Sequence, residues 1–241
     1  MISSLDNEKI KKITKLNQKK FRDLYKEFII EGEHLIKEAS KTNSIIEVFV
    51  LEGYEYSIDY PITYVTKQVM NKITNLENCN VIALCKKIIN KNIGNKILLL
   101  DEIQDPGNLG TIIRSSVAFN IDTIILSENT VDLYNPKVLR GTQGMYNFIN
   151  IFSMDAKEAI KEIKEKNIKV YGTNVVNGID VKTLKEEDKR SFCLIVGNEG
   201  NGVREEIQEL CDSNLYIKMN SDVESLNVGV ATSILLYELG E

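Results

Sequence analysis

Two patterns of apolar and polar residues alternate along the chain. Short, almost continuous apolar runs predict buried strands, and the clearest lie at residues 96–100, 121–126, 148–152, 168–171, 192–196 and 215–217. Apolar residues at helical spacing predict helices at residues 109–119, 135–140, 156–166, 203–210 and 228–239. Because apolar strands alternate with helices, we expect an α/β fold with a mainly parallel sheet that helices cover on both faces.

The beginning of the chain carries a shorter alternation of the same kind. Residues 6–20 have apolar side chains three apart among lysines, which predicts an amphipathic helix capped by Ser3 or Ser4. Further strands are predicted at residues 28–31, 45–51, 62–65 and 81–85, and further helices at residues 32–42 and 66–74. These elements predict a small α/β domain ahead of the larger one.

A polar stretch at residues 86–95 separates the two alternations and is predicted to be a linker. It combines three lysines, one of them Lys91, with amide side chains and Gly94. The prediction divides the chain into an N-terminal domain, residues 1–91, and a C-terminal domain, residues 92–241.

The composition is typical of a folded, soluble protein, because 43% of the 241 residues are hydrophobic. No apolar run approaches the roughly 20 residues that span a membrane, and the N-terminus lacks the pattern of a signal peptide. The four cysteines lack a Cys-x-x-Cys pair, which favours reduced core thiols over a metal site or a disulfide framework. The sequence therefore predicts a cytoplasmic protein with no membrane segment and no metal.

The only histidine, His34, excludes several kinds of catalytic site. It follows two glutamates and has no metal-ligating partner at helical spacing, so we expect it at the surface. Catalysis by a Ser-His-Asp triad or by several metal-bound histidines is therefore not expected.

Charge is distributed unevenly along the chain. The net charge is -5, but residues 1–91 carry 15 basic and 12 acidic residues, whereas residues 92–241 carry 15 and 23. Residues 1–26 alone contain eight basic and three acidic side chains. Such a block can neutralise RNA phosphates, or it can be the solvated face of a helix. Charge alone leaves both interpretations open.

Three polar patches carry the candidate chemistry, and each lies where a predicted strand gives way to a helix. They are Asn108-Leu-Gly110-Thr-Ile-Ile-Arg114, Gly197-Asn-Glu199-Gly-Asn-Gly202 and Ser225-Leu-Asn227. Ligand loops of α/β folds occupy such positions, so the three patches together predict one composite site. Each also has a plainer interpretation: Asn108, Ser225 and Asn227 could simply cap helices, and Arg114 could be an ordinary exposed arginine.

The glycine-rich second patch differs from the known phosphate loops. It lacks the Lys-Ser/Thr ending of a Walker loop and the Gly-x-Gly-x-x-Gly spacing of a dinucleotide-binding loop. Its glycines allow positive φ angles and close approach to a ligand. The carboxylate of Glu199 favours a cationic or hydroxyl-bearing ligand over a phosphate.

In order, spacing and flanking sequence, the three patches resemble the signature motifs of the SpoU/TrmH family of RNA ribose 2′-O-methyltransferases, in the SPOUT superfamily. The resemblance covers residues 96–241, and the Phe28–Leu35 segment is similar to the family's N-terminal RNA-binding domain, which resembles a ribosomal protein. It implies S-adenosyl-L-methionine as cofactor, a trefoil knot in the C-terminal domain and a homodimer whose subunits together build the active sites. It also implies an RNA partner, ribosomal RNA in preference to transfer RNA.

The resemblance assigns roles to individual residues. The cofactor-binding positions are Gly197, Gly202, Ile217, Met219 and Leu226. The catalytic and site-shaping positions are Asn108, Arg114, Glu199, Ser225 and Asn227. A guanidinium is too weak a base to accept the hydroxyl proton at neutral pH.

Our hypothesis is therefore that Arg114 binds the target phosphate and stabilises oxyanion charge, while Asn108 and Glu199 hold Arg114. Ser225 and Asn227 would then shape the loop.

The third patch departs from the family pattern at three positions. Lys218 stands where the family usually has proline, Ser221 where it has glycine, and Gly229 where it often has serine. The first two put the path of the cofactor loop in question. Two other classes of function are alternatives: a catalytically silent RNA-binding or ribosome-assembly factor, which need not keep all five polar residues, and an unrelated nucleotide-binding enzyme, which the missing phosphate-loop motifs disfavour.

Overall fold

The structure, a computed structural model, describes residues 1–88, 90, 92–174 and 178–240. The helices are α1 Glu8–Lys15, α2 Lys19–Tyr25, α3 Glu33–Ser40, α4 Lys67–Ile73, α5 Pro106–Ala118, α6 Pro136–Thr142, α7 Ala156–Glu165, α8 Glu186–Lys189, α9 Glu205–Gln208 and α10 Val228–Gly240. The strands are β1 Glu27–Glu31, β2 Ile45–Leu51, β3 Ile62–Val65, β4 Val81–Lys86, β5 Lys96–Leu100, β6 Thr123–Leu126, β7 Asn150–Ser153, β8 Lys169–Thr173, β9 Ile179–Asp180, β10 Phe192–Val196 and β11 Ser213–Tyr216.

The chain forms two compact units. The first unit consists of Met1–Ile88 and Asp132–Asn147, and the second of Ile89–Val131 and Phe148–Glu241. The predicted linker, residues 86–95, contains residue 89 and Lys91, which lie outside the described residues.

A four-stranded sheet in the order β1-β4-β2-β3 organises the first unit. Strand β4 is antiparallel to both of its neighbours, and β2 is parallel to β3. The helix predicted over residues 6–20 is two helices, α1 and α2. Asn7 caps α1 by accepting a hydrogen bond from the Lys9 amide at 3.0 Å, so the predicted cap at Ser3 or Ser4 is wrong. Ile10 and Ile13 of α1 are buried in the core of this unit.

Residues 132–147 belong to the first unit although they separate β6 from β7 in sequence. Two ion pairs hold them there. Arg22 lies 2.6 Å from Asp132, and Arg140 lies 3.1 Å from the buried Glu31 carboxylate. The predicted division of the chain after residue 91 does not assign residues 132–147 to the N-terminal domain. The domain boundary stays a prediction.

In the second unit, the described residues form seven parallel strands in the order β7-β6-β5-β10-β8-β11-β9. Ile97, Leu98, Leu99 and Leu100 of β5 are fully buried, although successive side chains of a strand point to opposite faces. Both faces of this central strand are therefore covered, as its continuous apolar sequence predicts. The predicted α/β fold class with a mainly parallel sheet is confirmed.

Helices α5 and α10 pack side by side in the second unit and run in the same direction. Ser115 and Ser233 share a hydrogen bond of 2.6 Å, and one turn later the rings of Phe119 and Tyr237 lie 5.6 Å apart. One turn earlier, a Cβ atom added at Gly229 would lie 3.4 Å from Thr111. The absence of a side chain at position 229 thus fits the close approach of the two helices.

The histidine and the cysteines differ in their exposure to solvent. His34 is exposed, as predicted. Cys85 and Cys193 are buried, and burial raises the pKa of both thiols well above the usual range. Burial also raises the pKa of Cys211, to about 11. Among the described residues, no helix has the length and hydrophobicity needed to cross a membrane.

Candidate functional site

A cavity of about 860 Å³ opens beside the carboxyl ends of β10 and β11 in the second unit. Its volume lies within the range of about 300–1,000 Å³ that is usual for small-molecule sites. All five predicted cofactor-binding residues line it: Gly197, Gly202, Ile217, Met219 and Leu226. Glu199 and Ser225 line it as well, so the second and third polar patches share one cavity.

The glycine-rich patch forms a closed loop that is stabilised by hydrogen bonds between its own residues. The backbones of Asn198 and Gly202 exchange two hydrogen bonds of 2.9 Å, and the Asn198 side chain accepts from the Gly200 amide. A Cβ atom at Gly197 would lie 2.0 Å from the backbone of Gly202 and Val203. Gly202 itself has a φ of +71°. Gly197 is thus required because its own chain returns within contact distance, and not only because a ligand approaches the loop closely.

Residues of the loop between β11 and α10 line the cavity, and few of their main-chain groups are paired with one another. The Val223 amide donates to the Asn220 carbonyl at 3.1 Å within residues 217–226. Met219, by contrast, makes no main-chain hydrogen bond to a described residue. Unpaired main-chain donors and acceptors can bind the polar edge of a ligand. Lys218 and Ser221, the two departures from the family pattern, are exposed, and neither lines the cavity.

A chain of hydrogen bonds connects the three polar patches. The Asn227 side-chain amide donates to Asn108 Oδ1 at 3.0 Å, and the Asn108 side-chain amide donates to Glu199 Oε1 at 3.0 Å. The carboxylate of Glu199 also accepts from the backbone amides of Gln104 and Asp105. The three patches, up to 119 residues apart in sequence, therefore meet in one site.

The carboxylate of Glu199 is stabilised in its charged form. Partial burial would raise its pKa, but the hydrogen bonds from Asn108, Asp105 and Gln104 outweigh burial and lower the pKa below its usual value. The position just ahead of α5 adds to this effect, because the amino end of a helix attracts negative charge. Glu199 therefore fastens the second patch to the start of α5.

Two predicted helix caps have different outcomes. Asp105 caps α5 by accepting from the Asn108 amide at 2.9 Å, so Asn108 lies inside the first turn and is not the cap. Pro106 favours this earlier start because proline suits the first helical position. Asn227 does cap α10, through the Gly229 and Val230 amides, at 2.9 and 3.2 Å. The Ser225 hydroxyl makes no hydrogen bond to a described residue.

Arg114 lies on α5 and is exposed, and its guanidinium has no hydrogen bond or ion pair with any described residue. Neither Asn108 nor Glu199 hydrogen-bonds to Arg114, so any hold of theirs on Arg114 is indirect, through helix α5. Six residues along a helix correspond to a rotation of about 240°, so Arg114 projects from a different side of α5 than Asn108. Arg114 also does not line the cavity.

An ion pair that was not predicted, between Asp101 and Arg204, anchors the glycine-rich loop. Asp101 follows β5 and is fully buried, and it accepts from Arg204 Nη2 at 2.7 Å and from the Arg204 amide at 3.0 Å. Arg204 lines the cavity. An acidic residue directly after a buried strand was the available signal, because such a residue must find a partner when it is buried.

Comparison with known proteins agrees with this geometry. Residues 95–237 match the SpoU rRNA Methylase family, and residues 7–83 match the MRM3-like substrate binding domain. The 23S rRNA (guanosine(2553)-2′-O)-methyltransferase RlmP of Bacillus subtilis is 37% identical, over 99% of this chain and 98% of RlmP.

Two solved structures resemble the whole chain. An AdoMet-bound rRNA methyltransferase from Sinorhizobium meliloti superposes with a TM-score of 0.86 and 26% identity, over 99% of this chain and 96% of that one. An RNA 2′-O ribose methyltransferase superposes with a TM-score of 0.81 and 26% identity, over 99% and 97%. The predictions of the family and of an RNA ribose 2′-O-methyltransferase are confirmed, and the chain belongs to the SpoU rRNA methylase family.

Proposed function

We propose that this chain transfers a methyl group from S-adenosylmethionine to a ribose 2′-hydroxyl of 23S ribosomal RNA, at the guanosine that corresponds to position 2553. The similarity to RlmP supports this substrate because it runs through nearly the whole of both chains. The observation that carries the proposal is the Asn227–Asn108–Glu199 chain of hydrogen bonds, which connects all three signature patches beside one cavity.

The cavity suits S-adenosylmethionine chemically. Ile217, Leu226 and Leu235 offer apolar side chains for a nucleoside base, and the 217–226 backbone offers unpaired polar groups for its edge. The charged lining residues are mainly carboxylates, Glu199, Glu205, Glu209 and Glu224, with Arg204 as the basic one. Such a lining favours the positive charges of the sulfonium and the amino group.

When bound, S-adenosylmethionine supplies a methyl group that its sulfonium makes electrophilic. The residues of the chain orient the hydroxyl and stabilise the charge that develops on its oxygen. Arg114 is the residue for this task, because a guanidinium donates up to five hydrogen bonds and Arg114 uses none of them within the described chain. It binds a phosphate next to the target ribose and stabilises the 2′-oxygen.

Asn108, Glu199 and Asn227 act as positioning residues in this proposal. They fix the start of α5, and therefore Arg114, relative to the cavity. Ser225 has a free hydroxyl on the cavity wall, where it can donate to the ligand. Gly197, Gly202, Ile217, Met219 and Leu226 hold the cofactor mainly through the backbone and aliphatic side chains.

Arg114→Lys tests the role of the guanidinium. We expect turnover to fall about a hundredfold or more, as happens when one donor to a developing oxyanion is removed. The melting temperature and the affinity for S-adenosylmethionine should stay as in the unchanged protein, because Arg114 makes no hydrogen bond or ion pair with a described residue and does not line the cavity. Arg190→Lys, in the turn after α8, is the matched control and should keep full activity.

Calorimetry with S-adenosylmethionine separates the enzyme from a silent RNA-binding factor. Binding at micromolar ligand is expected. No binding at millimolar S-adenosylmethionine would favour the silent factor.

For Arg114→Lys, near-normal turnover with intact RNA binding would contradict any role that depends on the planar guanidinium.

We further infer that the protein works as a homodimer in the cytoplasm and that its C-terminal domain contains a trefoil knot. The dimer is supported by α10, which is apolar almost throughout yet leaves Val230 and Tyr237 about half exposed, at 48% and 52%. Val230→Arg should give a monomer by analytical ultracentrifugation, whereas Ile46→Arg in the first unit should not. A monomeric unchanged protein at micromolar concentration would contradict the dimer.

A further inference from the structure

The strongest feature outside the cavity is a surface on the first two helices, which we call the basic helix surface. It consists of Lys15, Lys19, Lys20 and Lys26 with the rings of Phe21 and Tyr25. All four lysines are exposed, and both rings are partly exposed. We propose, building on the proposed function, that this surface binds the phosphate backbone of the RNA substrate through these four lysines.

The ion pairs of the first unit distinguish these four lysines from their neighbours. The other four basic residues among residues 1–26 are each paired with carboxylates: Lys9 with Glu47, Lys11 with Asp6 and Glu8, Lys12 with Glu27, and Arg22 with Asp132. The remaining acidic residue of this segment, Asp23, is paired with Lys87 at 2.7 Å. Lys15, Lys19, Lys20 and Lys26 have no ion pair with any residue that the structure describes, although Lys19 and Lys26 lie near enough to Asp23 to help lower its pKa. Their ammonium groups are therefore available to a partner.

The two aromatic rings gather the lysine head groups. Phe21 and Tyr25 stack with centroids 6.1 Å apart and planes 14° apart. The ammonium groups of Lys15 and Lys20 lie 5.6 and 4.8 Å from the Phe21 centroid. A cation over an aromatic face gains about 0.5–1 kcal/mol at exposed sites. The Phe21 ring thus has two ammonium groups beside it, and clustered positive charge favours a polyanionic partner.

RNA fits this surface better than an anionic membrane does. Helices that bind membranes insert an apolar face, but Ile10, Ile13 and Leu16 of α1 are buried in the core of the first unit. Leu24 is the large apolar side chain that α2 leaves mostly exposed, at 67%. A surface with charge but without an apolar face suits a phosphate backbone.

The test removes the four charges together and measures how binding depends on salt. The variant Lys15→Gln/Lys19→Gln/Lys20→Gln/Lys26→Gln is compared with Lys67→Gln/Lys72→Gln/Lys161→Gln/Lys182→Gln. The control lysines are also exposed and have no ion pair with a described residue. The probe is a 23S ribosomal RNA transcript that contains the guanosine corresponding to 2553, and the readouts are anisotropy over a range of salt concentrations and methyl transfer.

Each phosphate contact contributes about 0.7–0.9 to the slope of log K against log salt, so we expect the slope to decrease by about 3 in the first variant. It should stay unchanged in the control, and both variants should bind S-adenosylmethionine normally. Phe21→Leu should weaken RNA binding about threefold without changing the slope, as loss of a cation–π contact predicts.

The possible failures are distinguishable. If the unchanged protein methylates the transcript but the first variant keeps its salt slope, the basic helix surface is only a solvated helix face and the inference is wrong. If the unchanged protein binds the transcript with the expected slope but does not methylate it, the proposed function is wrong and the surface assignment stands. Equal loss of slope in the control, or binding to phosphatidylserine vesicles in place of RNA, overturns the inference.

Discussion

Glu199 connects the glycine-rich loop to the amino end of α5. Its carboxylate accepts hydrogen bonds from two backbone amides ahead of α5 and from the Asn108 side chain. A carboxylate suits this position because both oxygens only accept, whereas a glutamine would direct an NH₂ group toward amide donors. The charged carboxylate of Glu199 therefore has a structural role, because it accepts the hydrogen bonds that position the start of α5.

Glu199→Gln should lower methyl transfer about tenfold to a hundredfold, because hydrogen bonds to a charged group contribute about 1.5–3 kcal/mol each. It should also change the pH dependence of stability. The folded-state pKa of Glu199 is lowered, so its carboxylate contributes stability above the unfolded pKa of about 4.3, and this contribution is lost as pH falls through the folded value.

Thermal unfolding of the unchanged protein and of Glu199→Gln at several pH values checks this. The melting temperatures should differ at pH 7 and converge as pH falls below the unfolded pKa of about 4.3 and through the lower folded pKa. A difference that keeps its pH 7 value down to the most acidic pH at which both proteins fold would mean that the effect is steric.

Gly197→Ala tests the closed glycine-rich loop. The added Cβ would lie 2.0 Å from the backbone of Gly202, so the loop must shift, at a cost of about 2 kcal/mol or more. Affinity for S-adenosylmethionine, measured by calorimetry, should fall at least tenfold. Gly200→Ala is the matched control, because its Cβ would meet its nearest neighbour, Asn198 Oδ1, at 3.5 Å. Equal losses in both variants would contradict this explanation.

Residue identities were easier to predict than residue partners. The positions of Asn108, Glu199 and Asn227 followed from their motifs, but their mutual hydrogen bonds depend on how loops 91 and 119 residues apart meet. For the same reason the sequence placed Arg114 beside Asn108, although helix geometry turns the two apart. The Asp101–Arg204 pair was missed because neither residue belongs to a signature motif.

At the scale of elements, the loop between β10 and α9 depends on an anchor in the neighbouring strand. Asp101 lies at the end of β5, is fully buried, and holds both the backbone and the guanidinium of Arg204. The anchor fixes the path by which the chain returns from the glycine-rich loop into α9. Loss of the anchor should therefore affect stability and ligand binding together.

Asp101→Asn should destabilise the second unit by about 3 kcal/mol, the lower end of the cost of breaking a buried ion pair, because Arg204 is partly exposed. Urea unfolding followed by circular dichroism measures this change. Lys185→Gln, which removes an exposed pair with Glu187, should change stability by less than about 1 kcal/mol. A loss below 1 kcal/mol for Asp101→Asn would contradict the anchor.

Buried parallel strands were predicted well because their signal is local: each is a continuous apolar run between polar loops. Shorter elements were predicted less well. Helix α9 has four residues, fewer than predicted, and the two-residue strand β9 was not predicted. The transfer of residues 132–147 to the first unit depends on distant ion pairs with Arg22 and Glu31, which no local pattern indicates.

At the scale of the whole molecule, charge is divided between two tasks. The N-terminal part carries the unpaired lysines of the basic helix surface, and the charged residues that line the cavity in the second unit are mainly carboxylates. A polyanionic substrate and a cationic methyl donor therefore each find a surface of opposite charge. The uneven charge along the sequence has a consistent explanation in these two ligands.

The most direct test of the central claim is a map of 2′-O-methylated nucleotides in total RNA from cells with and without this gene. We predict that a single 2′-O-methyl group is lost, at the guanosine of 23S ribosomal RNA that corresponds to 2553. The unchanged gene should restore this methyl group, and a gene that carries Arg114→Lys should not. Loss of a methyl group in transfer RNA, or no loss at all, would contradict the account.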